Sequence, residues 1–156
     1  LRAIACIAES VGTEGMIGGQ VIDIQSENKS IPYETLKTLH SLKTGALIKA
    51  ACVGGAILGG ASEGEISKVS DYAVNLGIAF QIRDDILDVI GSAEELGKPI
   101  GSDSESCKNT YVSLFGLEKS EELCREYTEK AISALDNLPD TENLKLLAEE
   151  MVNRTY

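Results

Sequence analysis

The stretch Phe80-Gln81-Ile82-Arg83-Asp84-Asp85-Ile86-Leu87-Asp88 places three carboxylates within five residues, inside a strongly apolar run. On a helix, at about 100° per residue, Asp84, Asp88 and Asp85 share one face. Gln81 lies between them, one turn earlier. The remaining faces carry Ile78, Ile82, Ile86, Leu87, Val89 and Ile90. A helix apolar nearly all round is buried, and carboxylates on it are costly unless paired or bound to a cation. Three together repel unless positive charge is near. Hard cations such as Mg²⁺ take carboxylate oxygens, keep waters and grip phosphates. The stretch therefore reads as half of a metal and phosphate site. The competing reading is a solvated acidic end of a surface helix, which the flanking Ile, Leu and Phe disfavour.

A chain of 156 residues, 43% hydrophobic and 25% charged, reads as one globular domain. Its net charge of −11 excludes a phosphate-backbone partner, so no nucleic acid is expected. Phosphorylated small molecules need only a few local cations and stay open. Cys6, Cys52, Cys107 and Cys124 are widely spaced and form no zinc pattern. With no signal-peptide pattern, they give the expectation of reduced thiols in a cytoplasmic protein. The most lipid-like run, from Gly45 to Ala61, is about a turn short of a bilayer span and contains Lys49, so it reads as a buried helix. Leu1-Arg-Ala-Ile-Ala-Cys-Ile-Ala reads as helix interior with no cap before it. Part of a longer polypeptide is expected.

The chain reads as all helical, with no convincing strand pattern and no internal repeat. Residues 1–10 form one helix, stopped at Gly12, and residues 14–26 the next. Gly15, Gly19 and Asp23 lie on one stripe of that second helix, and Gln20 and Asp23 sit close enough in angle to face one partner. Ser30 and Pro32 mark a helix start for residues 33–40. Lys43-Thr44-Gly45 opens a Gly/Ala-rich helix running to about Gly60. The single histidine, His40, reads as structural. Ser62 and Glu65 fit a capping box for a long helix over 63–90. Toward its start the acidic stripe becomes Gly77 and Ala73, with Phe80 alongside. That gradient suits a ligand with a charged head and a greasy tail, and ordinary core packing produces it too. Residues 91–109 form a long polar loop with Lys98 and Lys108, which reads as a lid over a metal-bound phosphate or as a solvated surface loop. A short helix over 110–115 ends at Gly116, and helices over 118–136 and 142–153 follow.

Five motifs occur in order: Gly19-Gln20-x-x-Asp23, Leu39-His40-x-x-Lys43-Thr44-Gly45-Ala46-Leu47, Phe80-Gln81-x-x-Asp84-Asp85-x-x-Asp88, Gly97-Lys98 and Lys108-x-Thr110-Tyr111. Together they resemble the C-terminal half of the trans-isoprenyl diphosphate synthases, in particular bacterial short-chain enzymes of the farnesyl diphosphate synthase (geranyltranstransferase) type. The resemblance implies an all-α bundle of the isoprenoid synthase type, with residues 1–156 as the C-terminal part of a single domain. It implies Mg²⁺ at Asp84, Asp85 and Asp88, with Asp84 bound directly. It implies Lys43 and Lys98 on a diphosphate, and Thr44 and Gln81 turning oxygen dipoles toward a carbocation. Phe80 and Lys108 complete the substrate-binding set.

The implied substrates are isopentenyl diphosphate and an allylic diphosphate, dimethylallyl or geranyl; the implied product is farnesyl diphosphate and the implied assembly a homodimer. Two departures stand out. No second Asp-Asp-x-x-Asp occurs in these residues, which implies negligible synthase activity for this chain alone. Cys107 stands where the family has glycine before the lysine. The alternatives are a geranylgeranyl or longer-chain synthase, a non-catalytic partner subunit, and a terpene cyclase.

Overall fold

The computed structural model describes residues 1–90 and 109–155. Among the described residues there are only helices: α1 (Arg2–Val11), α2 (Met16–Ser26), α3 (Tyr33–His40), α4 (Ala46–Leu58), α5 (Glu63–Ile90), α6 (Tyr111–Phe115), α7 (Leu117–Ala134) and α8 (Glu142–Asn153). The long α5 is the axis. It packs most extensively on α7 and next on α4, while α1 lies on α4 and α8 on α7. The all-α expectation holds, and so do most boundaries.

Local chemistry sets those boundaries. Glu65 Oε2 accepts from both the backbone N–H and the hydroxyl of Ser62, each at 2.7 Å, so the capping box at the start of α5 is present. At the α6–α7 junction Gly116 adopts φ +80°, a conformation that costs other residues a clash. Pro32, not Ser30, occupies the N-cap position of α3, with extended backbone and no side-chain cap. Proline suits that site because its fixed φ precedes the helix and it has no N–H to satisfy.

The largest departure from expectation lies between α3 and α4. Ser41–Gly45 is a single π-helical turn that joins them without a break. Tyr33–Leu58 thus becomes one helix of 26 residues, long and apolar enough to cross a membrane by length and composition alone. That is more than the expected run a turn short of a span. Within this protein the helix packs against α1, α2 and α5.

Two apolar clusters stack along α5. The first joins Leu36, Ile78, Ala79, Ile82, Ile86, Tyr111, Cys124 and Tyr127. The second joins Tyr72, Ala73, Leu76, Ala131, Leu135 and Ala148. Tyr72 is fully buried, and its hydroxyl donates to the Leu144 carbonyl at 2.7 Å, which satisfies the polar atom and ties α8 to α5. Ala73 belongs to this core, so that part of the small-residue stripe is filled by helix packing and is not an open wall. Val89 and Ile90, expected on buried faces, are half exposed at the end of α5.

Candidate active site

The site forms where three helices meet backbone to backbone. A Cβ built on Gly19 of α2 would lie 2.3 Å from the Lys43 nitrogen. A Cβ on Gly77 of α5 would lie 2.9 Å from the Gly45 Cα. The π turn is thus held between two glycines, one on each side. Glycine is unfavourable in helices by about 1 kcal/mol, and here close approach is what it permits. Lys43 and Thr44 of the π turn meet partners one turn beyond each glycine: Asp23 after Gly19, and Gln81 after Gly77.

Those partners form two connected sets. Lys43 Nζ pairs with Asp23 Oδ2 at 2.5 Å, with the lysine side chain 38% exposed and the aspartate 22%. Beside it runs a hydrogen-bond series. Thr44 Oγ1 donates to Gln81 Oε1 at 3.1 Å. Gln81 Nε2 donates to Asp85 Oδ1 at 3.3 Å. The Tyr111 backbone N–H donates to Asp85 Oδ2 at 2.8 Å. Asp85 is buried, and a backbone donor and an amide suit its charged form. Together Asp23, Leu39, His40, Lys43, Gln81, Asp85, Asn109 and Thr110 surround a cavity of about 90 Å³. His40 is buried on its wall, its ring 5.6 Å from that of Tyr111.

The three motif carboxylates have different described surroundings. Asp85 turns to Gln81 and Tyr111, Asp88 is buried, and Asp84 lies on the more open side. There Arg154 Nη2 donates to Asp84 Oδ1. The Arg154 guanidinium also stacks over the Phe80 ring, 4.2 Å from its centroid. Phe80 therefore faces the C-terminal segment, and it is not among the residues around the small cavity. Gln20 is exposed and does not join Asp23. Lys98, Lys108, Cys107 and the expected lid lie outside the described residues.

Asn109 and Arg154 were missed at the sequence level. Asn109 accepts from the Ile31 N–H at 3.2 Å and donates to the Lys29 carbonyl at 2.8 Å, fixing the chain just before Tyr111 to the α2–α3 connection. Thr110 then caps α6 through a reciprocal bond with Ser113, which aims the Tyr111 N–H at Asp85. Arg154 gave no sequence signal, being 70 residues from Asp84.

Among the described residues no three His, Cys, Asp or Glu side chains converge as a metal-binding group. The donor chemistry still suits a hard cation. Asp84, 37% exposed at its side chain, already holds a positive group, and Mg²⁺ commonly uses one or two carboxylates with waters and phosphate oxygens.

Known proteins share this arrangement of helices. A geranyltransferase from Helicobacter pylori, solved with magnesium and isoprenyl diphosphate, superposes with a TM-score of 0.80 at 31% identity, over 97% of this chain and 50% of that one. A geranylgeranyl diphosphate synthase of Cyanophora paradoxa is 45% identical over 99% of this chain and 52% of its own length. A farnesyl diphosphate synthase of Micrococcus luteus is 41% identical over 99% of this chain and 53% of its own. The chain thus spans about half the length of these relatives. The polyprenyl synthetase family model matches residues 2–151, covering every described part of the site except Arg154, and the chain belongs to that family.

Proposed function

We propose that this chain carries half of the active site of a trans-prenyl diphosphate synthase. In this reading the enzyme joins isopentenyl diphosphate to dimethylallyl or geranyl diphosphate and delivers farnesyl diphosphate. The observation that carries it is the series Thr44–Gln81–Asp85–Tyr111 beside the Lys43–Asp23 pair. Lys43 presents a part-exposed ammonium to a diphosphate, and Asp23 holds it in place. Thr44 donates a hydrogen bond to Gln81, which leaves the Thr44 oxygen lone pairs for positive charge developing at an allylic carbon. Preorganised dipoles of this kind stabilise charge without reorganising during the step.

The reaction this requires is balanced within the two substrates. The allylic C–O bond breaks with its electron pair leaving on diphosphate, the isopentenyl double bond bonds to the allylic C1, and a proton is lost to the diphosphate. Mg²⁺, when bound, would neutralise the departing charge, and Asp84, with Asp85 and Asp88, is the set that would hold it. That the similar Helicobacter pylori geranyltransferase was solved with magnesium supports Mg²⁺ as the cation. Lys98 and Lys108 stay in the proposal as further diphosphate ligands. A homodimer and a cytoplasmic location belong to the same reading; the free thiols Cys6, Cys52 and Cys124 suit a reducing compartment.

A C20 product is the second reading, favoured by the Cyanophora paradoxa relative. The test is a condensation assay with labelled isopentenyl diphosphate and either allylic substrate, in Mg²⁺ or EDTA, on the full-length polypeptide carrying these residues and on Asp84→Ala. Farnesyl diphosphate, with a loss of roughly two orders of magnitude in the variant, is expected. A C20 product selects the second reading, and no product from a folded polypeptide overturns both.

A further inference from the structure

We propose that Arg154 is a tethered counter-cation for Asp84, which a divalent cation arriving with a diphosphate must displace. The inference rests on the metal role proposed above for Asp84. Three contacts build the seat. The guanidinium donates to Asp84 Oδ1. Its plane covers the Phe80 ring at 4.2 Å. The Arg154 backbone carbonyl accepts from Arg83 Nε at 3.0 Å and Nη2 at 2.6 Å. Phe80, Arg83 and Asp84 stand at i, i+3 and i+4 on α5, so they form one continuous patch. The chain has just left α8, and Arg154 itself is extended, with φ −61° and ψ 149°. One residue is thus fixed by its backbone, its charge and its ring contact together.

The seat has a chemical consequence. Asp84 is the most open of the three motif carboxylates, and one of its oxygens is taken by a guanidinium. A metal on that carboxylate competes with the guanidinium, because two positive groups on one carboxylate repel. The part-exposed pair, with side chains 24% and 37% exposed, is weak enough to open. Arg154 therefore acts as a positioning residue: it holds Asp84 oriented before metal arrives, and it couples metal binding to release of the C-terminal segment. Arg83, by holding the carbonyl, sets how far the segment goes when the guanidinium lets go.

The test measures Mn²⁺ binding directly, by the electron paramagnetic resonance of free Mn²⁺, on the full chain with and without inorganic pyrophosphate. Arg154→Gln removes the charge and keeps a planar group for Phe80. It should tighten Mn²⁺ binding about five-fold, the size of a part-exposed ion pair. Arg154→Lys should restore the wild-type affinity to within about two-fold, and Arg83→Met should fall between. A second readout uses the wild-type chain. Trypsin can cut after Arg154 only when its guanidinium is free, so loss of Thr155-Tyr156 by intact mass should be slow alone and faster with Mn²⁺ and pyrophosphate.

Unchanged or weaker Mn²⁺ binding in Arg154→Gln, with binding still lost in Asp84→Asn, would overturn the counter-cation alone. Mn²⁺ binding equal in wild type and Asp84→Asn, or absent from both, would overturn the counter-cation and the metal role of Asp84 together.

Discussion

Thr44 Oγ1 donates a 3.1 Å hydrogen bond to Gln81 Oε1, linking the π turn to α5. Because Gln81 accepts there, its amide nitrogen must point the other way, and it meets Asp85 at 3.3 Å. One hydroxyl therefore sets the orientation of the whole polar series. Thr44→Val keeps the shape and removes the donor. In the full-length polypeptide it should lower turnover about 100-fold, the scale of losing one preorganised dipole, with little change in KM. Thr44→Ser should recover most of that loss, because the hydroxyl and not the methyl group carries the effect. Equal turnover in the valine and serine variants would show that packing at the π turn is what matters.

The glycine pair offers a test on stability. A methyl at Gly19 would meet the Lys43 backbone at 2.3 Å, and backbone cannot move aside as a side-chain tip can. Gly19→Ala should lower unfolding free energy by about 3 kcal/mol, at the upper end of overpacking costs. Gly55 has nothing within 4 Å of a built Cβ and lies inside α4. Gly55→Ala should raise stability by about 0.5–1 kcal/mol, because it removes backbone freedom from the unfolded chain. Urea midpoints of the two variants should move in opposite directions.

Much of this arrangement was legible in the sequence because it depends on local chemistry. Pro32, the Ser62–Glu65 pair and Gly116 each act within one turn, so the starts of α3, α5 and α7 followed from them. The Gly19–Asp23 and Gly77–Gln81 pairs were also visible, whereas Gly15, expected on the same face, is the N-cap of α2 and lies against the Ser10 backbone. That both would grip the same turn was not, since residues 19 and 77 lie far apart in the chain. The π turn had no signature of its own: Ser41-Leu-Lys-Thr-Gly45 suits an ordinary helix, and the wider turn belongs with the approach of Gly19 and Gly77. The divergence of Asp84 from Asp85 was hidden for a similar reason. Helical angle put them on one face, and it gave no sign that Arg154 would meet Asp84 and the Tyr111 backbone Asp85.

The outer faces of α1 and α2 predict association. Ile4, Ile7 and Val11 follow one another at helical spacing on α1 and are 67%, 48% and 36% exposed. Ile17, Val21 and Ile24 do the same on α2, at 48%, 47% and 57%. Apolar rows of this length drive proteins together in water. Light scattering on this chain should give a mass above 16.6 kDa that rises with concentration. Val21→Glu with Ile24→Lys should bring it back toward the monomer. A sharp monomer for the unmodified chain would mean that these rows are too narrow to pair.

The tyrosines make stability fall in alkali. Burial, followed by the 3.4 Å contact with the Tyr127 hydroxyl, pushes Tyr33 up to about 12 from an ordinary 10.0. Burial pushes Tyr72 up to about 12 as well. Tyr111, fully buried against His40 and Tyr33, is displaced further in the same direction, chiefly by burial. In each case the folded state favours the neutral phenol. The unfolded chain releases its protons first, so below pH 10 this contribution is fully present. Between about 10 and 12 the folded state binds more protons than the unfolded one, and stability drops as pH rises. Urea midpoints should therefore be flat in this respect up to pH 9 and decline from pH 10. Absorbance at 295 nm should show these tyrosines ionising together with loss of helical signal. Tyr72→Phe should cost about 1 kcal/mol at neutral pH, for the bond to Leu144, yet flatten the alkaline decline. Ionisation of every tyrosine near pH 10 with helicity intact would show that these rings are not sealed from water.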